Sequence, residues 1–81
     1  PPSSRPGPED LLVRKELNHR LENAVSALPE NLRVVFVLGT LEGMRYKHIA
    51  EICECTEEAV KMRIHRARKQ VRDKLKNYLE V

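Results

Sequence analysis

Apolar residues recur every three or four positions along "VKMRIHRARKQVRDKLKNY": Val60, Ile64, Ala67, Val71, Leu75 and Tyr78. On a wheel turning about 100° per residue they fall within about 40° of one line. A strand would alternate with period two, so this spacing predicts a helix. It runs to about Leu79, roughly 35 Å at 1.5 Å per residue. Its apolar stripe is narrow, so one face alone can meet a core. Whatever this chain folds into must seat that stripe and leave the rest of the helix outside.

The outside is basic. Opposite the stripe lie Met62, His65, Arg66 and Lys69, with Asp73 further along. Lys61, Arg68 and Arg72 flank one side; Arg63 and Lys74 flank the other. Residues 57–81 carry eight Lys/Arg against four Asp/Glu, whereas residues 1–56 carry seven against eight. A charged helix face is commonly just solvated. Concentration of positive charge on one element is instead the footprint of a polyanion binder.

The remaining chain supplies what the stripe packs on. PPSSRPGP, residues 1–8, has the composition of a flexible linker, and residues 9–81 are expected to form one domain. Glu9 and Asp10 favour a helix N-terminus. Leu17, Leu21, Ala24, Val25 and Leu28 then share one helical face. Pro29 ends that helix and suits the first position of the next. The second helix carries Leu32, Val35 and Phe36, widened by Val34, Val37, Leu38 and Leu41, and should be central. VVFVL also suits a strand, but no second strand is available to pair with it. Gly43 fits a left-handed closing position. A short third helix covers about Tyr46 to Cys53, with Ile49, Ala50 and Ile52 or Cys53 inward. After the turn Glu54-Cys55, Thr56 is placed to cap the fourth helix, and Glu57 and Glu58 complement its positive end.

A short helix, a tight turn and a capped basic helix form a helix-turn-helix. Such a motif lays its second helix in the DNA major groove, where Lys and Arg pair with guanine acceptors and flanking charges hold phosphates. The expected class is all-α: a small four-helix domain containing a helix-turn-helix.

Composition narrows the alternatives. A chain of 81 residues with no Trp and one Phe rests its core on Leu, Val, Ile and Ala. No apolar run approaches the ~18 residues of a membrane span, so no membrane insertion is expected. No signal peptide is recognised, and the start at Pro-Pro without Met leads us to expect a piece of a longer protein. Cys53 and Cys55 lie too close for an ordinary structural disulfide and suggest a reducing, cytoplasmic setting. They are expected to fill apolar slots, since two thiols are half a zinc site at best. No nucleophile, carboxylate constellation or phosphate-cradling glycine loop is present, so neither enzyme activity nor a cofactor or metal is expected. His19 and His48 read as surface residues, and Phe36 as core. Leu11, Leu12 and Val13 read as packing at a helix start, or as an exposed partner patch.

"LPENLRVVFVLGTLEGMRYKHIAEICECTEEAVKMRIHRARKQVRDKL" resembles region 4 of bacterial sigma factors, in particular the extracytoplasmic-function group. The pieces are Leu28-Pro29-Glu30, Glu42-Gly43, Tyr46 with Ile49 to Ile52, and Val60 to Arg68, in order over about residues 28–75. The resemblance implies a winged-helix-like fold of the sigma region 4 type without a wing. It implies recognition of the promoter −35 element, docking on the β flap of RNA polymerase core, occlusion by an anti-sigma factor, and a monomer. By motif position Lys61, Met62, His65, Arg66 and Lys69 would face bases and the groove. Arg45, Lys47, Thr56, Arg63 and Arg68 would meet the DNA backbone.

Several positions depart from the family pattern. Met62 stands where relatives often have Ser, Gly39 where they often have Arg, Arg45 where a Ser cap is usual, and Glu54 where a turn Gly is usual. Gly39 removes a DNA-contacting Arg, for which Arg45 or Lys47 would compensate, and costs a helix about 1 kcal/mol relative to Ala. Two other functions remain open here: the helix-turn-helix output domain of a response regulator, and a protein-interaction module bound by an anti-sigma factor.

Overall fold

A computed structural model describes the backbone of residues 8–79 and the side chains of residues 10–77. Four α-helices follow one another: α1 (Pro8–Ser26), α2 (Glu30–Phe36), α3 (Tyr46–Cys53) and α4 (Glu57–Leu79). A π-helical turn over Val37–Leu41 continues α2. No strand occurs among the described residues, so the all-α, helix-turn-helix expectation holds there.

α4 is the spine, packing against α1, α2 and α3. Its stripe divides between two clusters. Val60 and Ile64 meet Val35, Ile49 and Ala50. Ala67 and Val71 meet Ala24, Val25, Leu28, Leu32 and Phe36, with Leu75 beside them. α2 supplies both clusters, the central role its apolar pattern predicts. Val35, Ile49, Val60 and Ile64 are the largest fully buried side chains. Burial of each contributes about 1.5–3 kcal/mol, so the N-terminal half of α4 is firmly seated.

The ends of the helices depart from expectation by small, physical amounts. The linker expected over residues 1–8 lies outside the described residues except for Pro8, which opens α1; a first helical position needs no N–H and favours the proline φ. Pro29 caps α2 rather than beginning it. Its extended ψ of 149° leaves the carbonyl to accept from Leu32 and Arg33 at 3.0 and 2.8 Å. Leu17 was expected inward but is exposed, because α1 runs on beyond its partners. Only Leu21, Ala24 and Val25 of α1, with Leu28 beyond its end, reach the core. Leu11, Leu12 and Val13 are exposed rather than packed at the helix start. Leu41 and Ile52 are exposed too, and Cys53 takes the inward place that Ile52 was offered. The side chain of Tyr78, assigned to the stripe, lies outside the described residues.

The π-helical turn is the one element the periodicity did not predict. Glu42 N–H donates to the Val37 carbonyl, five residues back, at 2.9 Å. Gly39 sits inside this turn, and a Cβ there would come within 2.7 Å of Ile64 Cδ1 and 3.3 Å of Ile49 Cδ1. Gly39 therefore faces the core, not the outer surface, and permits close approach of the turn to α3 and α4. Gly43 follows with φ of 69°, the left-handed closure its position predicts.

The turn between α3 and α4 is a Schellman motif. Cys55 N–H donates to the Ala50 carbonyl at 3.0 Å and Glu54 N–H to Glu51 at 3.4 Å. Glu54 occupies the left-handed position, at φ 53° and ψ 48°. A side chain there crowds its own backbone at a cost of about 1–2 kcal/mol. Glu54→Gly should therefore stabilise the domain by about 0.5–1 kcal/mol, the relief being partly offset by the freer unfolded chain. Urea denaturation checks this; an unchanged or lower midpoint would contradict the strain.

Candidate nucleic-acid interface

The turn sets the start of α4. Thr56 Oγ1 accepts from the Ala59 N–H at 3.0 Å, and the Thr56 carbonyl accepts from Val60 N–H at 3.1 Å. Glu57 and Glu58 follow in the first turn, where carboxylates oppose the positive helix end. Val60 and Ile64 then fix the rotation of the helix about its axis. With that face held, every other side chain of the first three turns has a set direction.

Lys61, Met62, His65, Arg66 and Lys69 are all exposed. No ion pair or hydrogen bond ties Lys61, His65, Arg66 or Lys69 to another described residue, so their polar groups are open to a ligand. Met62 is 55% exposed and places a polarizable apolar tip within this cationic surface. An exposed methionine amid cations suits an apolar atom of a polar ligand, such as the thymine methyl.

The predicted backbone-contact residues do not form one set. Arg45, in the N-cap position of α3, and Lys47, in its first turn, are exposed. Thr56 is exposed but already accepts the cap bond, which leaves its hydroxyl proton free to donate. Arg63 is half-buried and turned back on the turn, its Nη1 donating to Cys55 Sγ at 3.6 Å. Arg68 lies on the opposite flank, on the rim of a groove.

That groove went unnoticed in the sequence. It encloses about 480 Å³ and is lined by Phe36, Thr40, Val71 and Leu75, with Arg68, Arg72 and Lys76 along it. One signal could have revealed it: three cations at four-residue spacing run beside the C-terminal half of the apolar stripe. Arg33 has a local role that the sequence also hid. Its guanidinium reaches the Leu28 and Ser26 carbonyls at 3.4 and 3.5 Å, across the junction of α1 and α2.

Cys53 and Cys55 are half-buried against the cluster of Val35, Ile49, Ala50, Val60 and Ile64, the apolar slots expected for them. Among the described residues no group of three or more His, Cys, Asp or Glu side chains could hold a metal. His19 and His48 are exposed, and Phe36 is core. No described helix is long and apolar enough to cross a membrane.

Residues 18–71 match the model of the family described as sigma-70, region 4. The chain belongs to that family. Region 4 of this chain is also 37% identical over 68 residues to the ECF RNA polymerase sigma-E factors of Escherichia coli (strain K12) and Salmonella typhimurium (strain LT2). The sigma-E factor of Haemophilus influenzae matches at the same identity and length. These alignments cover 84% of this chain and 36% of each relative, so the chain spans about a third of their length. The match includes α2, α3 and all of α4 through Val71, the elements that build the capped basic helix.

Replacing the cap tests whether α4 starts where this geometry puts it. Thr56→Ala should cost about 1 kcal/mol, seen as a lower urea midpoint with an unchanged slope. Thr56→Ser should retain most of the stability, because the accepting oxygen remains.

Proposed function

We propose that this domain binds the −35 element of promoter DNA through the N-terminal half of α4 and docks on the β flap of RNA polymerase core, directing transcription initiation as a region 4 module. The observation that carries the reading is the outward cationic face of a helix whose inner face is locked by Val60 and Ile64. A helix held in this way presents Lys61, Met62, His65, Arg66 and Lys69 as one rigid surface. Such a surface suits the major groove, with lysine and arginine directed at base acceptors or phosphates and Met62 against a thymine methyl. Arg45, Lys47 and Thr56 would hold the DNA backbone. Arg68 would have to reach it from the groove side, and Arg63 only by leaving Cys55.

Binding of this kind releases counterions, so affinity falls linearly with salt on logarithmic axes. Lys61→Ala and Arg66→Ala should each reduce the slope by about 1 if the residue meets a phosphate. Arg63→Ala should change it less, because its guanidinium is engaged with Cys55. Fluorescence anisotropy with a −35 duplex over a salt series reads all three. Affinity without salt dependence, or unchanged slopes for Lys61 and Arg66, would remove α4 from the interface.

The apolar groove beside Arg68, Arg72 and Lys76 supports the polymerase contact. It lies on α2, the π-helical turn and the C-terminal half of α4, further along the helix than the DNA-facing set. Leu75 is half-buried on its wall, so Leu75→Glu should spoil the groove without opening the core centre. The expected outcome is loss of polymerase-dependent transcription with −35 duplex affinity retained. Equal loss of both would place the groove within the DNA site instead.

A second reading, occlusion by an anti-sigma factor, is favoured by exposed Leu11, Leu12, Val13 and Leu17 on the part of α1 that outruns the core. The response-regulator alternative is not retained, because the chain belongs to the sigma family. We place the domain in the cytoplasm as a monomer, where polymerase and promoter are met.

A further inference from the structure

The turn of the helix-turn-helix holds two thiols two residues apart, and one of them meets a guanidinium. Arg63 donates to Cys55 Sγ at 3.6 Å. Arg63 and Cys53 also line one surface hollow of about 380 Å³, with Glu30, Asn31 and Val34. Both cysteines are free and half-buried, so neither is sealed in the core. The residue between them, Glu54, is the one non-glycine with positive φ among the described residues. Neither the two thiols nor the strained Glu54 has a part in the proposed DNA contact or polymerase docking, and Arg63 as placed is committed to Cys55.

We propose that Cys53 and Cys55 form a peroxide-responsive dithiol, oxidised reversibly to an intrachain disulfide. In the first step Cys55 sulfur attacks one oxygen of hydrogen peroxide. The O–O bond breaks, the thiol proton leaves with the departing oxygen as water, and Cys55 becomes a sulfenic acid. Arg63 is the fixed cation that balances charge on the attacking sulfur. In the second step the Cys53 thiol attacks Cys55 sulfur. The S–S bond forms, the S–O bond breaks, and a second water leaves. Two thiols and one peroxide thus become one disulfide and two waters.

The spacing fixes the character of that bond. Closing so small a loop removes little entropy from the unfolded chain and strains the bond, which makes it readily reduced. Easily reduced disulfides are the regulatory kind, not the structural kind. Oxidation also takes Cys55 away from Arg63 and loads the left-handed turn that positions Thr56 and the start of α4. A covalent event at the thiols is therefore transmitted to the seat of the outward helix.

The chemistry is tested on the 81-residue chain itself and does not depend on what α4 binds. Hydrogen peroxide should lower the intact mass by about 2 Da, two hydrogens, and block both thiols from alkylation. Dithiothreitol should restore both. In Cys53→Ser, which cannot close the disulfide, dimedone should trap a sulfenic acid on Cys55. In that background Arg63→Gln should slow trapping several-fold, whereas Arg66→Gln, on the outer face, should not. Peptide mapping that finds only intermolecular dimers, or two thiols oxidised independently, would overturn the proposal. So would dimedone trapping at Cys53 rather than Cys55 in the paired single variants.

Discussion

The seating of Val60 and Ile64 between Val35, Ile49 and Ala50 is the constraint on which the molecule depends. Close packing here does more than stabilise. A helix with a narrow apolar stripe can rotate about its axis unless the stripe is gripped, and rotation by one residue would carry each side chain about 100°. Two fully buried residues one turn apart remove that freedom. The direction of Lys61, Met62, His65 and Arg66 is thus a product of the core, although none of them enters it. Loss of the Ile64 side chain would cost about 2–5 kcal/mol, a large share of what a domain this small can hold.

The same constraint explains why the neighbouring backbone is unusual. Gly39 lets the π-helical turn approach Ile64 so closely that a Cβ would make the Ile64 Cδ1 methyl shift. Glu54 accepts a left-handed conformation so that Cys55 can bond back to Ala50 and Thr56 can cap α4. One position gives up a side chain and the other bears strain. Both lie beside the same core cluster, where the start of the outward helix is set. Departures from ordinary residue choice gather where geometry is most tightly specified, as expected when local preference yields to a global demand.

Helix type, order and inward faces were legible because period 3.6 survives in the sequence at every helix. The Thr56 cap and left-handed Gly43 were legible because few residue types serve those positions. The π-helical turn was not, since VVFVLGTL carries no mark that separates an i−5 bond from an i−4 bond. The exposed start of α1 was not legible either. Leu17 lies in register with Leu21 and Ala24, and periodicity cannot say where a partner helix ends. The wheel placed Met62, His65, Arg66 and Lys69 outside with Lys61 at the edge of that set, and all five are exposed. It also grouped Arg63 and Arg68 as flanks, yet Arg63 turns to Cys55 and Arg68 to an apolar groove. A long arginine is directed by what its stem and head can reach, and that information resides in tertiary neighbours.

α4 carries three surfaces on one rod, and the rod's length keeps them apart. Its inner stripe runs the whole length of the core. Its outer cations occupy the first half, from Lys61 to Lys69. Its groove occupies the second, from Arg68 to Lys76. Because 3.6 residues make a turn, each step between positions 68, 72 and 76 advances about 40° toward the side of the outer set, so it is distance along the rod that separates the two surfaces. The two surfaces meet only near Arg68 and Lys69. That axial separation is what the proposed bridging of DNA and a protein surface draws on. Rigidity supplied by Val60, Ile64, Ala67 and Val71 then couples the two: any load on the groove is carried by the same helix that presents the cations.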